Sequence, residues 1–231
     1  MKRRTFTKTS LVTVAGTAIV PTSCSEPGIT RTNWAGNLTY GTTKGSTPKD
    51  LAELTAVVQK KKRMKVLGTC HSFNEIADSR HYHVSLQGWQ NEPVLDTESM
   101  TVTVDANIRY GELAIWLHER GYAIHNLASL PHISIAGACA TATHGSGDGN
   151  GNLATAVVGF DMMKSDGSMI ELDKRKDADN FNAALVGLGA LGVITEMTLA
   201  VEPTFDVRQD LFQDLPLESM QKNFDAITSA G

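Results

Sequence analysis

From Gly137 to Gly151 the chain runs through a long stretch of Gly, Ala, Ser and Thr that is almost bare of side chains. Such a stretch cannot build a hydrophobic core of its own. It is either a flexible surface loop or a place where backbone lies open to the close approach of a flat ligand. Ile133, Ile135 and Ala136 lead into it, so it emerges from buried structure. Whatever fold forms must carry a packed scaffold to the start of this segment and leave space beside it.

The composition can supply that scaffold. The chain has 231 residues, of which 41% are hydrophobic and 20% charged, so it is a globular chain with a core. Its length suits one large domain or two small ones. A net charge of -4 gives no electrostatic reason to bind nucleic acid, and no basic face is expected. The 3 cysteines are too few for a disulfide scaffold and lack the paired spacing of a zinc site, so no metal site is expected. No stretch reaches the roughly 18 apolar residues of a membrane span.

Residues 1–24 are a separate object. Lys2, Arg3 and Arg4 open the chain, a short apolar run from Leu11 to Val20 follows, and Pro21-Thr22-Ser23-Cys24 closes it. A charged start, a short apolar middle and a small-residue end describe a secretory leader, with a short buried helix as the competing reading. Arg3-Arg4-Thr5-Phe6-Thr7-Lys8 resembles a twin-arginine export signal, with Thr7 where Leu is usual. Cys24 stands where an exported lipoprotein carries its lipid anchor, although Pro21 fits that motif poorly. The expected destination is the periplasm or cell envelope.

The rest alternates strands and helices. Thr47-Pro48 offers an N-cap and a first helical residue, followed by Leu51, Leu54, Val57 and Val58 on one face. Met64 to Leu67 is a predicted strand running into a turn. Met100, Val102 and Val104 alternate with polar residues as in a half-buried strand. Gly111 to Arg120 is a predicted helix ended by Gly121, with Leu113, Trp116 and Leu117 inward. Asp166-Gly167 joins two strands, Ala156 to Met163 and Ser168 to Leu172, as a hairpin. A helix over Asn180 to Val186, a Gly-rich turn from Gly187 to Gly192 and a strand from Val193 to Val201 complete the pattern.

A second Gly-containing turn, Gly68-Thr69-Cys70-His71-Ser72, follows the strand that ends at Leu67. A tight turn there can aim successive N–H groups at an anion such as pyrophosphate, with Ser and Thr hydroxyls adding donors. The spacing matches neither a dinucleotide fingerprint nor a Walker loop. By itself the turn is equally a strand end that binds nothing.

Several segments in order resemble the vanillyl-alcohol-oxidase-type (PCMH-type) FAD domain. They are Thr69 to Ala77, Ala128 to Gly137 and Ala142 to Gly147, with Asn33 to Asn37 before them and Leu188 to Thr195 after. Within that superfamily the alditol oxidases are most similar, and the sugar-lactone oxidases next. The resemblance implies an α+β fold in which FAD lies between two α+β subdomains. It implies that Gly68, Thr69, Cys70, His71 and Ser72 hold the pyrophosphate. Ser129, Ser134, Gly137 and the segment Thr141, Ala142, Thr143 and His144 would line the flavin, and the backbone near Val193 would complete the site. His71 matches the histidine that bonds the flavin 8α carbon, so covalent FAD is expected. Ser129 would contact substrate, and Ala128, a small residue, would leave room for oxygen at the flavin edge. His81, His83, His118 and His125 have no such match and are expected on the surface or in packing.

Two departures bear on function. Cys70 replaces the usual Gly of the loop, at a cost of roughly 1 kcal/mol or more if φ is positive there. Cys70 and Cys139 could also face each other, leaving a disulfide open. The larger departure is length. After the leader at 1–24, the family resemblance gives the FAD domain at 25–203 and the start of a substrate domain at 204–231, with Phe205 to Asp210 as its first strand. The remainder of that domain is expected to be missing, either because the chain is a fragment or because the gene product is truncated, so no polyol turnover is expected from these residues alone. The implied activity is oxidation of the terminal alcohol of a small polyol with oxygen as acceptor. The alternatives are a sugar-1,4-lactone oxidase or dehydrogenase, and a non-catalytic flavin-binding envelope lipoprotein.

Overall fold

The computed structural model describes residues 30–147, 149–211 and 213–229. The predicted leader, with Arg3, Arg4 and Cys24, lies outside the described residues.

The first subdomain opens with β1 (Gly45–Ser46), α1 (Leu51–Lys60), β2 (Lys65–Val66) and β3 (His83–Val84). The three strands form a parallel sheet in the order β1-β3-β2. Helix α1 makes the crossover that parallel pairing requires. Its cap is Asp50 rather than the expected Thr47, because the Asp50 carboxylate reaches forward into the first turn and accepts from Glu53 N at 2.8 Å. Leu54 and Val58 are buried with Val84, Leu86, Trp89, Met163 and Val193. Leu51, expected inward, is exposed, because the buried stripe is narrower than the apolar one.

The second subdomain follows with β4 (Val94–Asp96), β5 (Thr101–Asp105), α2 (Tyr110–His118), β6 (Tyr122–Ala123), α3 (Ile135–Ala140), β7 (Val157–Met163), β8 (Met169–Asp173), α4 (Ala178–Leu185), β9 (Val193–Ala200) and β10 (Glu202–Pro203). Its main sheet is antiparallel, in the order β4-β5-β9-β7-β8. The expected hairpin is present, with Gly167 at φ 84° between β7 and β8. Val102 and Val104 of β5 point into the largest core, with Leu113 and Leu117 of α2, Phe160, Phe181, Met197 and Leu199. Trp116 is only partly buried, its indole N–H donating to Glu92 at 2.7 Å. On the opposite face, register places Asp105, Glu196, Asp161 and Glu171 in one row across four strands. Directly opposed like charges oppose each other, and Glu196 and Asp161 are pushed up from ordinary carboxylate values, chiefly by burial and then by carboxylate neighbours.

The strand expected from Phe205 to Asp210 is not formed. Among the described residues no neighbour offers it a ladder, Pro203 cannot donate, and Val207 is 82% exposed. Two short helices, α5 (Leu217–Lys222) and α6 (Phe224–Thr228), follow with no buried residues. Among the described residues no helix is long and apolar enough to cross a membrane.

Candidate functional site

The loops that leave the carboxyl ends of β2 and β3 face α3 and the turn before β9 across a cavity of about 510 Å³. That volume is in the range of a site for a sizeable organic ligand. Gly68, Thr69, Cys70, His71 and Ser72 form one wall, Ser134, Gly137, Thr141 and Thr143 another, and Leu188, Gly192 and Ile194 a third. Alternation along β9 turns Val193 away into the core beneath α1, so its neighbours, not its side chain, line the cavity.

The first four residues of the bare segment read as a loop, Gly137 to Ala140, are in fact helical. Residues Ile135–Ala140 form α3, because Ile135, Ala138 and Cys139 bury one face in the main core. The other face carries Ala136, Gly137 and Ala140 toward the cavity, where only small side chains stand between ligand and backbone. The first wall meets this helix at contact distance. A Cβ on either Gly68 or Gly137 would sit 2.8 Å from the hydroxyl of Ser134. Ser134 N donates to Thr69 Oγ1 at 3.2 Å, tying the turn to the helix start.

The turn is strained. Cys70 has φ 63°, as the departure from glycine foretold, and Ala142 and Leu188, beside the other two walls, have φ 50° and 53°. Left-handed backbone costs a non-glycine residue roughly 1–2 kcal/mol, and such strain collects at ligand sites. The N-terminal segment braces the turn. Trp34 N donates to Cys70 O at 2.8 Å, and Asn33 Nδ2 donates to Ser72 O at 3.0 Å. No disulfide joins Cys70 to Cys139. Cys139 Sγ lies instead 3.6 Å from Tyr110 Oη, and burial pushes its thiol up to about 11.

His71 lies among aromatic rings. Its centroid is 4.5 Å from that of His132 and 4.9 Å from that of Trp34, and Trp34 also meets His132 at 5.5 Å. Burial, then His132, then Arg109 pull His71 from 6.5 to about 4, so near neutral pH the ring is uncharged and keeps a lone pair. Its buried Nδ1 has no hydrogen-bond partner among the described residues, and neither does His132 Nε2.

Other predicted residues stand apart from this cavity. Ala128 packs on the main core, Ser129 is exposed, Ala142 occupies the turn after α3, and His144 is exposed with Nδ1 3.0 Å from Gly145 O. His83 is a packing residue, fully buried with Nε2 3.9 Å from Asp78. Sequence reasoning missed Trp34 and His132 as neighbours of His71, although both lie within the resembling segments. It also missed a polar cavity of about 490 Å³ that shares Thr69, Gln87 and Asn107 with the first and holds Arg109 and Asp105. No local pattern marks these residues; they meet only through the packing of β5 and α2 against the turn.

The family model described as an FAD binding domain matches residues 44–173, more than half of the chain. The chain belongs to the FAD-binding-domain family. It is 43% identical over 203 residues to an alditol oxidase from Streptomyces sp. (strain IKD472 / FERM P-14339), covering 87% of this chain and 48% of the relative. It is 33% identical to mouse L-gulonolactone oxidase, covering 86% of this chain and 46% of that protein. It is 32% identical to L-gulono-1,4-lactone dehydrogenase from Mycobacterium tuberculosis (strain CDC 1551 / Oshkosh), covering 79% and 44%. The chain thus spans about half the length of the curated relatives it matches.

The cavity of this FAD-binding domain suits such a cofactor. Its bare α3 face admits a flat ring, and the Gly68–Ser72 turn presents backbone and hydroxyl groups. The orphaned Asn107 Oδ1 and His71 Nδ1 are polar groups left for a ligand to satisfy.

Proposed function

We propose that the chain holds the FAD of an exported oxidoreductase that oxidises the terminal alcohol of a small polyol, such as xylitol or sorbitol, and that His71 carries the flavin covalently. Bound FAD would accept hydride from the carbinol carbon and pass the electrons to oxygen, giving aldose and hydrogen peroxide. The protein's part is to bind and orient. The turn from Gly68 to Ser72 holds the phosphates, α3 supports the ring, and the strap from Asn33 to Asn37 keeps His71 in place. Ser129 as a substrate contact and Ala128 as the point of oxygen access remain part of this proposal.

The observation that carries it is His71. An uncharged imidazole lines the cavity within a chain 43% identical to an alditol oxidase. A sugar-1,4-lactone oxidase or dehydrogenase is the second reading, supported by relatives of those names at 28–33% identity. The first test is attachment. Denatured protein should keep its yellow chromophore and a mass increase of one FAD, and His71→Ala should release all flavin in acid. Complete release from the wild-type protein would refute the covalent link. The second test is substrate class. Peroxide release with xylitol or sorbitol, but not with a sugar 1,4-lactone, is expected from a version extended to the length of the relatives; the opposite preference selects the second reading. Export is tested separately, since replacing Arg3 and Arg4 by Lys should trap the precursor in the cytoplasm.

A further inference from the structure

A histidine that bonds a carbon through one ring nitrogen becomes a cation unless its other nitrogen gives up a proton. At His71 that cation is disfavoured by burial, by the adjoining His132 and by Arg109. A group able to take that proton lies beside it. The His132 ring is 4.5 Å from that of His71 at an interplanar angle of 55°, in the turn before α3. His132 Nε2 is buried without a hydrogen-bond partner among the described residues, as is His71 Nδ1. Two orphaned nitrogens in adjoining rings are an unusual cost for a structure to carry, since buried polar atoms are nearly always satisfied. His132 is otherwise only half-buried, so a proton it takes can pass to solvent. Trp34 contacts both rings and holds them together.

We propose that His132 is the positioning residue for flavin attachment: its ring orients His71 and its Nε2 accepts the proton that His71 loses. The proposal rests on the covalent link inferred above. In the net reaction a C–H bond of the flavin 8α-methyl group and the N–H bond of His71 break, and a C–N bond forms. Dioxygen takes the two electrons and two protons and leaves as hydrogen peroxide. His132 passes one of those protons on and is unchanged at the end.

The test uses the full chain prepared without flavin, mixed with FAD in air, and sampled over time for protein-bound fluorescence after denaturation. His132→Phe keeps a ring against Trp34 and His71 but has no nitrogen. It should still bind FAD, seen as flavin released in acid, while attachment slows by about 100-fold, the lower end of what positioned proton transfer contributes. His132→Ala should be equally slow and should recover with added imidazole, which a purely structural role would not allow. Attachment by His132→Phe at the wild-type rate, or no recovery of His132→Ala by imidazole, overturns the proposal while leaving the His71 link intact. A wild-type protein that never attaches flavin overturns the link itself, and the proposal with it.

Discussion

The two glycine-bearing segments of the site look alike in sequence and take different backbone shapes in the structure. The turn from Gly68 to Ser72 is irregular, with Cys70 at positive φ, its carbonyl accepting from Trp34 N and its side chain packed with Tyr40 and Leu67. The segment from Ile135 to Ala140 is helical, and its small residues serve to bring a regular element close to the cavity. In both, a missing side chain permits an approach, since Gly68 and Gly137 each lie against the Ser134 hydroxyl; only the turn also holds a residue with a side chain, Cys70, in a left-handed shape. Ser134 sits between them and touches both.

Substitutions at that contact should have the largest effect. Gly68→Ala places a Cβ 2.8 Å from the Ser134 hydroxyl and should cost about 1–2 kcal/mol by overpacking. Adding Ser134→Ala in the same chain should recover most of it, measured by urea unfolding. No recovery would mean that the turn and the helix do not share that contact.

The two buried cysteines give the sharpest contrast. At Cys70, with φ 63°, Gly should be more stable than Ala by about 1 kcal/mol. At Cys139, inside α3, Ala should be more stable than Gly by about 1 kcal/mol. Four single variants and their unfolding midpoints decide it. The same order at both sites would erase the distinction between turn and helix.

A smaller effect separates the turn from the sheet by the sign of its pH dependence. His71 has a folded-state value lowered to about 4, so the unfolded chain binds more protons between that value and 6.5. Its contribution is present above 6.5 and is lost as pH falls through that window. His71→Phe in flavin-free protein should flatten this limb of a stability-versus-pH curve. Glu196 and Asp161 are raised, so the folded chain binds more protons just above ordinary carboxylate values, and stability there falls as pH rises. At neutral pH Glu196→Gln should therefore stabilise, by a few tenths of a kcal/mol for a cross-strand like-charge pair. Destabilisation by Glu196→Gln would show that the carboxylate row has a partner that outweighs its repulsion.

Much of this was legible in the residues. Periodicity marked α1, α2 and β5, because each must turn apolar side chains toward a core and so repeats them at its own period, and the Asp166-Gly167 turn marked β7 and β8. The order of several short motifs identified an FAD domain, and Cys70 in a position built for glycine announced its own strain. Ends were less certain: Asp50 displaced Thr47 as a cap because a carboxylate one turn nearer reached the free N–H first. A strand at Phe205 to Asp210 was not formed, since a strand is stabilised by a partner and none lies beside it among the described residues.

What the sequence alone determined, then, is which residues are small, which are apolar and at what period, and hence the elements and the family. Only the tertiary structure decided that Ile135–Ala140 is a helix, because three residues with one face in a core outweigh the poor propensity of glycine. It alone brought His132 and Trp34 to His71. Those residues stand far apart along the chain, and no local rule couples them. Their meeting depends on the packing of one subdomain against the other, which is a property of volumes and contacts rather than of spacing.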